Sequence, residues 1–203
     1  MEVNNSRVIK DVLGNGLAAT QDLDAGEPII RIANPYIVVV EKAALDKVCS
    51  QCLAENEDLK RCTRCKVARY CSTGCQTEAW KLIHQKECPI LKKLPAVPPT
   101  PVRALIHILL GHKFGVAPDP RWENLEAHIG DLKKSLRWDE VILQAKAALS
   151  FAKCPVEWSD VAIGVLCRVS SPSRLTSLWR VHTLLCFTYT TCRWHATLFA
   201  SQS

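Results

Sequence analysis

Along residues 8–40 the apolar positions come in short runs, VIKDV, LAAT, PIIRI and YIVVV, broken by GNG at 14–16 and DAGEP at 24–28. Runs of this length, rich in β-branched residues and bounded by Gly, Asn, Asp and Pro, predict short strands. Asn15-Gly16 is a hairpin signal, because both residues accept the positive φ that a tight turn demands. From residue 102 the period lengthens. VRALIHILLG at 102–111, WENLEAHIGDLKK at 122–134, DEVILQAKAALSFAKC at 139–154 and EWSDVAIGVLCRV at 157–169 have amphipathic, helix-type spacing. In the third, Val141, Ala145, Ala148 and Leu149 share one face, and Asp139 and Glu140 stand where negative charge suits a helix N-terminus. Between the two regimes, LPAVPPTP at 94–101 reads as an extended, semi-rigid spacer, with a proline-rich partner motif as the alternative. The pattern predicts an α+β chain, with strands first and helices later.

One stretch fits neither period. Residues 49–88 hold CSQC at 49–52, CTRC at 62–65, CSTGC at 71–75 and HQKEC at 84–88. Each pair closes a short loop that aims two soft ligands at one tetrahedral ion. Eight ligands complete two zinc shells with no open position, which makes two structural Zn2+ ions the expected cofactors. Thr73 and Gln76 form a T-x-x-Q capping box that would start a helix at the third pair, with Cys75 in its first turn. His84 and Cys88, four apart, would share a helix face, with Trp80 one turn earlier packing over it. Spacing alone leaves sequential and interleaved shells both open.

The chain has 11 cysteines and no cleavable apolar N-terminal segment. Thiols in such a context bind metal rather than form a disulfide framework, so cytosol or nucleus is the expected compartment. A formal charge of +6 permits contact with nucleic acid or acidic protein but does not require it. Lys60, Arg61, Arg64, Lys66 and Arg69 cluster, yet Glu55, Glu57 and Asp58 stand close by, and neither aromatic platforms nor a helix-in-groove feature accompanies them. The expectation is a solvated face, not a nucleic-acid partner. His107, His112 and His128 lack ligand-like pairing and are expected to be structural or exposed. Cys154 and Cys167 are expected to be buried small hydrophobes in helices.

The run Tyr70-Cys71-x3-Cys75-Gln76-x3-Trp80-x3-His84-x3-Cys88 resembles the MYND zinc finger. That resemblance implies a cross-brace, with Cys49, Cys52, Cys71 and Cys75 on one ion and Cys62, Cys65, His84 and Cys88 on the other. Directly before it, GNGLAATQDLDAGEPIIRIANPYIVV resembles the N-terminal part of the SET domain in the SET/MYND (SMYD-type) protein-lysine methyltransferases, where the finger is inserted within the SET domain. The likeness spans residues 8–169. It implies that Gly14, Asn15 and Gly16 touch S-adenosylmethionine through backbone and the middle residue, while Leu13 stands where some members carry a basic contact. It also implies an N-terminal SET segment over 1–48, the finger over 49–88, a linker over 89–101 and a helical insertion over 102–169.

At residue 170 the composition changes, since no Asp, Glu or Lys occurs in 170–203. Arg180, His182 and Arg193 interrupt its apolar residues, which argues against a transmembrane helix and a membrane partner. A poorly ordered tail is expected. The family would continue here into an Asn-His-Ser-Cys-like segment, an acidic Glu-Glu-Leu-like run with its downstream tyrosine, and three post-SET cysteines. None occurs, and Tyr189 lies in an unrelated context. The resulting expectation is a truncated product with no catalytic residue and weak S-adenosylmethionine binding. It would act at most as an interaction module for short proline-containing peptides or proteins; the alternative is a protein-lysine methyltransferase.

Overall fold

The structure is a computed structural model and describes residues 5–11, 14–24, 28–32, 35–115, 127–170, 187–188 and 196–199. Strands β1 (Ser6–Asp11) and β2 (Gly14–Ala19) pair antiparallel, with Ser6 opposite Ala19 and Asp11 opposite Gly14. This register corrects the turn expected at Asn15-Gly16. Both are strand residues, facing Lys10 and Ile9 respectively, and only residues 12–13, outside the described set, remain to connect the strands. A ladder that continues to Asp11 and Gly14 puts Asn15 and Gly16 in paired positions, and this cross-strand pairing overrides the local Asn-Gly preference. Strand β3 (Pro28–Ile32) pairs antiparallel with β8 (Ala196–Phe199), with a register shift between Pro28 and Arg31. Strand β4 (Pro35–Ile37) pairs with β7 (Phe187–Thr188), so YIVVV is a strand only as far as Ile37. Two stretches of the expected tail are therefore strands; the rest of 171–203 lies outside the described residues.

Met1–Tyr36 with Cys186–Ser203 forms one compact unit, and Ile37–Leu185 forms another. The second unit includes residues 37–48, which the sequence assigns to the N-terminal segment. Val40, Ala44, Leu45 and Val48 bury together there, with Leu53, Val67 and Val97 packed against them. Apolar contact thus ties this stretch to the finger. The finger itself holds a two-strand ladder, β5 (Lys60–Arg61) with β6 (Arg69–Tyr70), followed by α1 (Thr73–Ala79), a π turn (Trp80–His84) and α2 (Gln85–Lys93).

Two expectations about the helix ends need correction. The cap of α1 is Ser72, whose Oγ accepts the Cys75 N–H at 3.1 Å, and Thr73 is already helical. A Ser in extended conformation satisfies an orphan N–H at the helix start, and Ser72 is placed to do this one residue earlier than Thr73. Helix α2 runs through Pro89 to Lys93, and α3 (Thr100–Lys113) begins at Thr100 with Pro101 in its first turn. The spacer is therefore shorter than 89–101. A proline early in a helix sits where N–H groups lack partners anyway, and Pro89 removes only the bond to the Gln85 carbonyl.

The helical segment is organised around α3. Its residues 102–111 are all buried, so it is not the amphipathic helix the pattern suggests but one enclosed on every side. Around it pack α2, α5 (Trp138–Ala152) and α6 (Ser159–Ser170), while α4 (Ile129–Lys133) contacts α6. Leu105, Ile106 and Leu109 are almost wholly buried, and each such side chain contributes about 1.5–3 kcal/mol of hydrophobic stabilisation. Val141, Ala145, Ala148 and Leu149 form the buried face of α5, as their spacing predicts. At its end Lys153 is left-handed, and Lys113 Nζ donates to the Ala152 and Lys153 carbonyls at 3.2 and 2.7 Å, satisfying acceptors the helix leaves open. Of the helix expected over 122–134, Ile129–Lys133 is helical and 122–126 lies outside the described residues. Among the described residues, no helix is long and apolar enough to cross a membrane.

Candidate metal centre

Two of the cysteine pairs are built on the same backbone device. After Cys49-x2-Cys52 the chain turns left-handed at Leu53 (φ 63°), and after Cys62-x2-Cys65 it does so at Lys66 (φ 64°). In each case the left-handed residue donates its N–H to the carbonyl of the first cysteine, Leu53 to Cys49 at 3.1 Å and Lys66 to Cys62 at 2.9 Å. These bonds close the loops so that both sulfurs of a pair point inward. A non-glycine residue at positive φ costs about 1–3 kcal/mol, which a bound ion readily offsets. The two loops are stitched to their surroundings by backbone bonds, Ser50 N–H to the Arg69 carbonyl at 2.7 Å and Cys62 N–H to the Ala68 carbonyl at 2.8 Å. Through β6, the first loop reaches Cys71.

The other four ligands come from the helical half. Cys71 precedes α1, Cys75 lies in its first turn, His84 ends the π turn and Cys88 lies in α2. The π turn inserts an extra residue per turn between Cys75 and His84 and so sets the angle at which the His84 ring leaves the helix. Tyr70 and Trp80 meet that ring edge-on, each with centroids 5.9 Å away. Trp80 thus packs over the ligand face, as its place one turn earlier predicts.

The ligand atoms gather into two groups. In one, Cys49, Cys52, Cys71 and Cys75 lie within 4.8 Å of one another; in the other, Cys62, Cys65, His84 and Cys88 do. We refer to them as the outer and inner groups, because the first is half-exposed at three of its members and the second is buried throughout. A tetrahedral zinc with Zn–S near 2.3 Å and Zn–N near 2.0 Å sets S···S at about 3.8 Å and S···N at about 3.6 Å. The separations are 3.5 Å for Cys52 to Cys71, 3.5 Å for Cys71 to Cys75, 3.9 Å for Cys62 to Cys88 and 3.7 Å from Cys65 Sγ to His84 Nε2. They are far longer than an S–S bond of about 2.05 Å, and the described cysteines are all free thiols. Both groups fit zinc, which these residues would hold with protein ligands in all four positions.

Acid–base chemistry points to a cation as well. Burial pushes the Cys62 thiol up, but the Cys65 backbone N–H and the His84 ring reverse this and bring it down to about 6. Cys88, buried beside the charges of Cys65 and Cys62, is pushed up to about 12. In the outer group burial likewise raises Cys52 and Cys75, while backbone N–H groups hold Cys49 below its ordinary value. Crowded thiolates cannot all ionise by themselves; a divalent ion at the centre removes that penalty.

Behind the inner group is a buried cluster that the spacing of the metal ligands does not reveal. Glu87 Oε2 lies 3.1 Å from His84 Nδ1, and its Oε1 accepts from Arg103 Nη2 at 2.8 Å and Nε at 3.1 Å. Arg103 Nη1 also donates to the Val40 carbonyl at 3.2 Å. His107 Nε2 comes within 2.9 Å of the same Glu87 oxygen, outside hydrogen-bond angles. Burial favours the neutral Glu87 carboxyl, but Arg103 and His107 outweigh it and hold the group well below the ordinary carboxylate range. His107 is thus structural, as expected, but beside a charge rather than in a purely apolar core. A signal was present in the sequence: Arg103 and His107, four apart, are the polar residues between Val102 and Leu110, facing one way from a helix otherwise apolar.

The remaining candidates supply no ligand atom to either group. Gly14, Asn15 and Gly16 are consecutive residues of β2, in the other compact unit. Lys60, Arg61, Arg64 and Lys66 are exposed and Arg69 half-buried, with Glu55, Glu57 and Asp58 also exposed. His112 is exposed, with its ring 4.7 Å from that of Trp158. Cys167 is fully buried in α6, but Cys154 lies beyond the end of α5 and is half-buried, because the left-handed Lys153 ends the helix before it.

A family profile described as "MYND finger" matches residues 49–88. Histone-lysine N-methyltransferase SMYD3 of Homo sapiens is 44% identical over 133 residues, covering 61% of this chain and 31% of that protein. SET domain and MYND-type zinc finger protein 6 of Schizosaccharomyces pombe is 33% identical over 150 residues, covering 72% of this chain and 30% of its own length. Histone-lysine N-methyltransferase Smyd1 of Mus musculus is 38% identical over 96 residues, 47% of this chain and 19% of that protein. The chain spans less than a third of the length of these curated relatives.

Proposed function

Starting from a chain that belongs to the SET/MYND family and carries a MYND finger, we propose that these 203 residues act as a zinc-stabilised protein-interaction module. Cys49, Cys52, Cys71 and Cys75 hold one Zn2+ and Cys62, Cys65, His84 and Cys88 the other. The observation that carries the reading is the gathering of these eight ligands into two groups of four, each with tetrahedral spacing. Shells filled by protein leave no position for a reacting water or substrate, so both ions are structural. The module's partners are short proline-containing peptides or proteins, taken in the cytoplasm or nucleus; nucleic acid and membrane are not its targets. Titrating the zinc-loaded chain with proline-containing peptides, followed by amide NMR, tests this. Shifts confined to residues 49–93 are expected, whereas a response only to oligonucleotides defeats the reading.

A second reading, protein-lysine methylation, is favoured by the likeness to histone-lysine N-methyltransferases. Backbone at Gly14, Asn15 and Gly16 would then meet S-adenosylmethionine, the methyl donor. We expect weak cofactor binding and no turnover by these residues alone. Catalysis needs a positioned base or tyrosine and an enclosed channel, and the sequence of 170–203 lacks the motifs that the family resemblance implies for them. A radiolabelled methyl-transfer assay on protein lysines decides. Transfer above background that is lost in Asn15→Ala establishes the second reading.

A further inference from the structure

Resting on the zinc reading above, we propose that Glu87 is a positioning residue for the inner shell and the link by which metal in that shell orders α3. Its two carboxylate oxygens serve different masters. Oε2 meets His84 Nδ1 at 3.1 Å, and Oε1 meets Arg103 at 2.8 Å and His107 at 2.9 Å. All four side chains are at least nine-tenths buried, so none of these contacts is diluted by water.

An imidazole has two nitrogens, and either can face a metal. An anionic oxygen on Nδ1 requires a proton there, which leaves the lone pair on Nε2, the atom 3.7 Å from Cys65 Sγ. Glu87 therefore selects the tautomer and the ring orientation that complete the inner shell. The same carboxylate is also the counter-charge of Arg103, which holds α3 and, through the Val40 carbonyl, the segment before the finger. Metal on His84 fixes Glu87, and Glu87 fixes Arg103. Coupling of this kind is reciprocal, so the docked helix in turn strengthens metal binding in the inner shell. The outer shell has no carboxylate bridge to α3 among the described residues.

The test uses the full zinc-loaded chain. Glu87→Gln keeps the size and removes the charge. A chromophoric chelator should then take one of the two ions about 10–100 times more readily than from the unaltered chain, with the other unchanged. In the cobalt-loaded form, the ligand-field bands of the ion with one imidazole should shift, and those of the four-thiolate ion should not. Arg103→Gln leaves the His84–Glu87 contact in place. In that variant, amide exchange in α3 should quicken less on removal of the inner ion than it does in the unaltered chain, because only the His107 contact at 2.9 Å then joins Glu87 to the helix. Unchanged release of both ions from Glu87→Gln, equal weakening of both, or equal quickening of α3 exchange in the Arg103→Gln and unaltered chains overturns the proposal. Should Glu87→Gln fail to fold, nitrogen chemical shifts of labelled His84 in the unaltered chain decide. Protonation at Nδ1 supports the proposal, and protonation at Nε2 overturns it. Fewer than two zinc ions in the unaltered chain instead defeats the zinc reading beneath it.

Discussion

The inner and outer metal groups are made from similar loops yet solve different physical problems. The outer group offers four thiolates, three of them half-exposed; the inner offers three thiolates and an imidazole, all buried. With a divalent ion, the first carries two net negative charges and the second one. Burying charge is costly, so the more highly charged shell stands at the surface, where water and the Cys71 N–H to Cys49 Sγ contact at 3.4 Å help to disperse it. The less charged shell can be enclosed, and enclosure lets it connect. Its ligand His84 is the one whose far side reaches Glu87, Arg103 and the core of the helical segment. The difference teaches that the inner group, through the contacts of His84 and Arg103 with Glu87, is also joined to α3.

Removing both ions is the strongest way to break the contrast. Structural zinc supplies about 10–16 kcal/mol per ion, and the finger's buried cluster consists largely of its own cysteines with Ala68, Tyr70, Ala79 and Leu91. Chelation should therefore unfold residues 49–93, read as collapse of their NMR dispersion, and metal analysis beforehand should return two zinc ions per chain. One ion or none would refute this.

Single-ligand changes separate the shells. Cys62→Ser should release one ion, disorder the turn from His84 to Cys88 and loosen α3, leaving Cys49 and Cys52 metal-bound. Cys52→Ser should also release one ion but leave α3 exchange as it was. If Cys62→Ser freed Cys49 and Cys52 directly, the shells would be sequential rather than cross-braced. Ser72→Ala removes the cap of α1 and should lower stability by about 1 kcal/mol, measured by denaturant titration with zinc present. Its main effect should fall on the outer shell, since α1 carries Cys75. The smallest expected effect is at Lys66, exposed and left-handed. Lys66→Gly relieves the backbone strain but adds freedom to the unfolded chain, so a gain below about 1 kcal/mol should appear as a small rise in Tm. A marked loss would mean that the Lys66 side chain, rather than its backbone, matters.

By itself the sequence determined the four Cys/His pairs, the helix carrying Cys75, and the apolar face of α5. Each depends on residues within a turn or two of one another, and such patterns are written directly in the spacing. It left open which pairs share an ion, and the cross-brace came only as an implication of resemblance. It placed a turn at Asn15-Gly16 that the β1–β2 register puts inside a strand, and a capping box at Thr73 where Ser72 caps. It gave no sign that Leu53 and Lys66 turn left-handed, since neither is the glycine or asparagine that such a conformation favours. It did not show Glu87 as a junction, because its partner Arg103 lies sixteen residues along the chain, and Arg103 in turn reaches a carbonyl sixty-three residues back. Tertiary structure decided these points: contacts between distant residues form only once the helices pack, and a buried carboxylate finds its counter-charges only in the space that packing leaves.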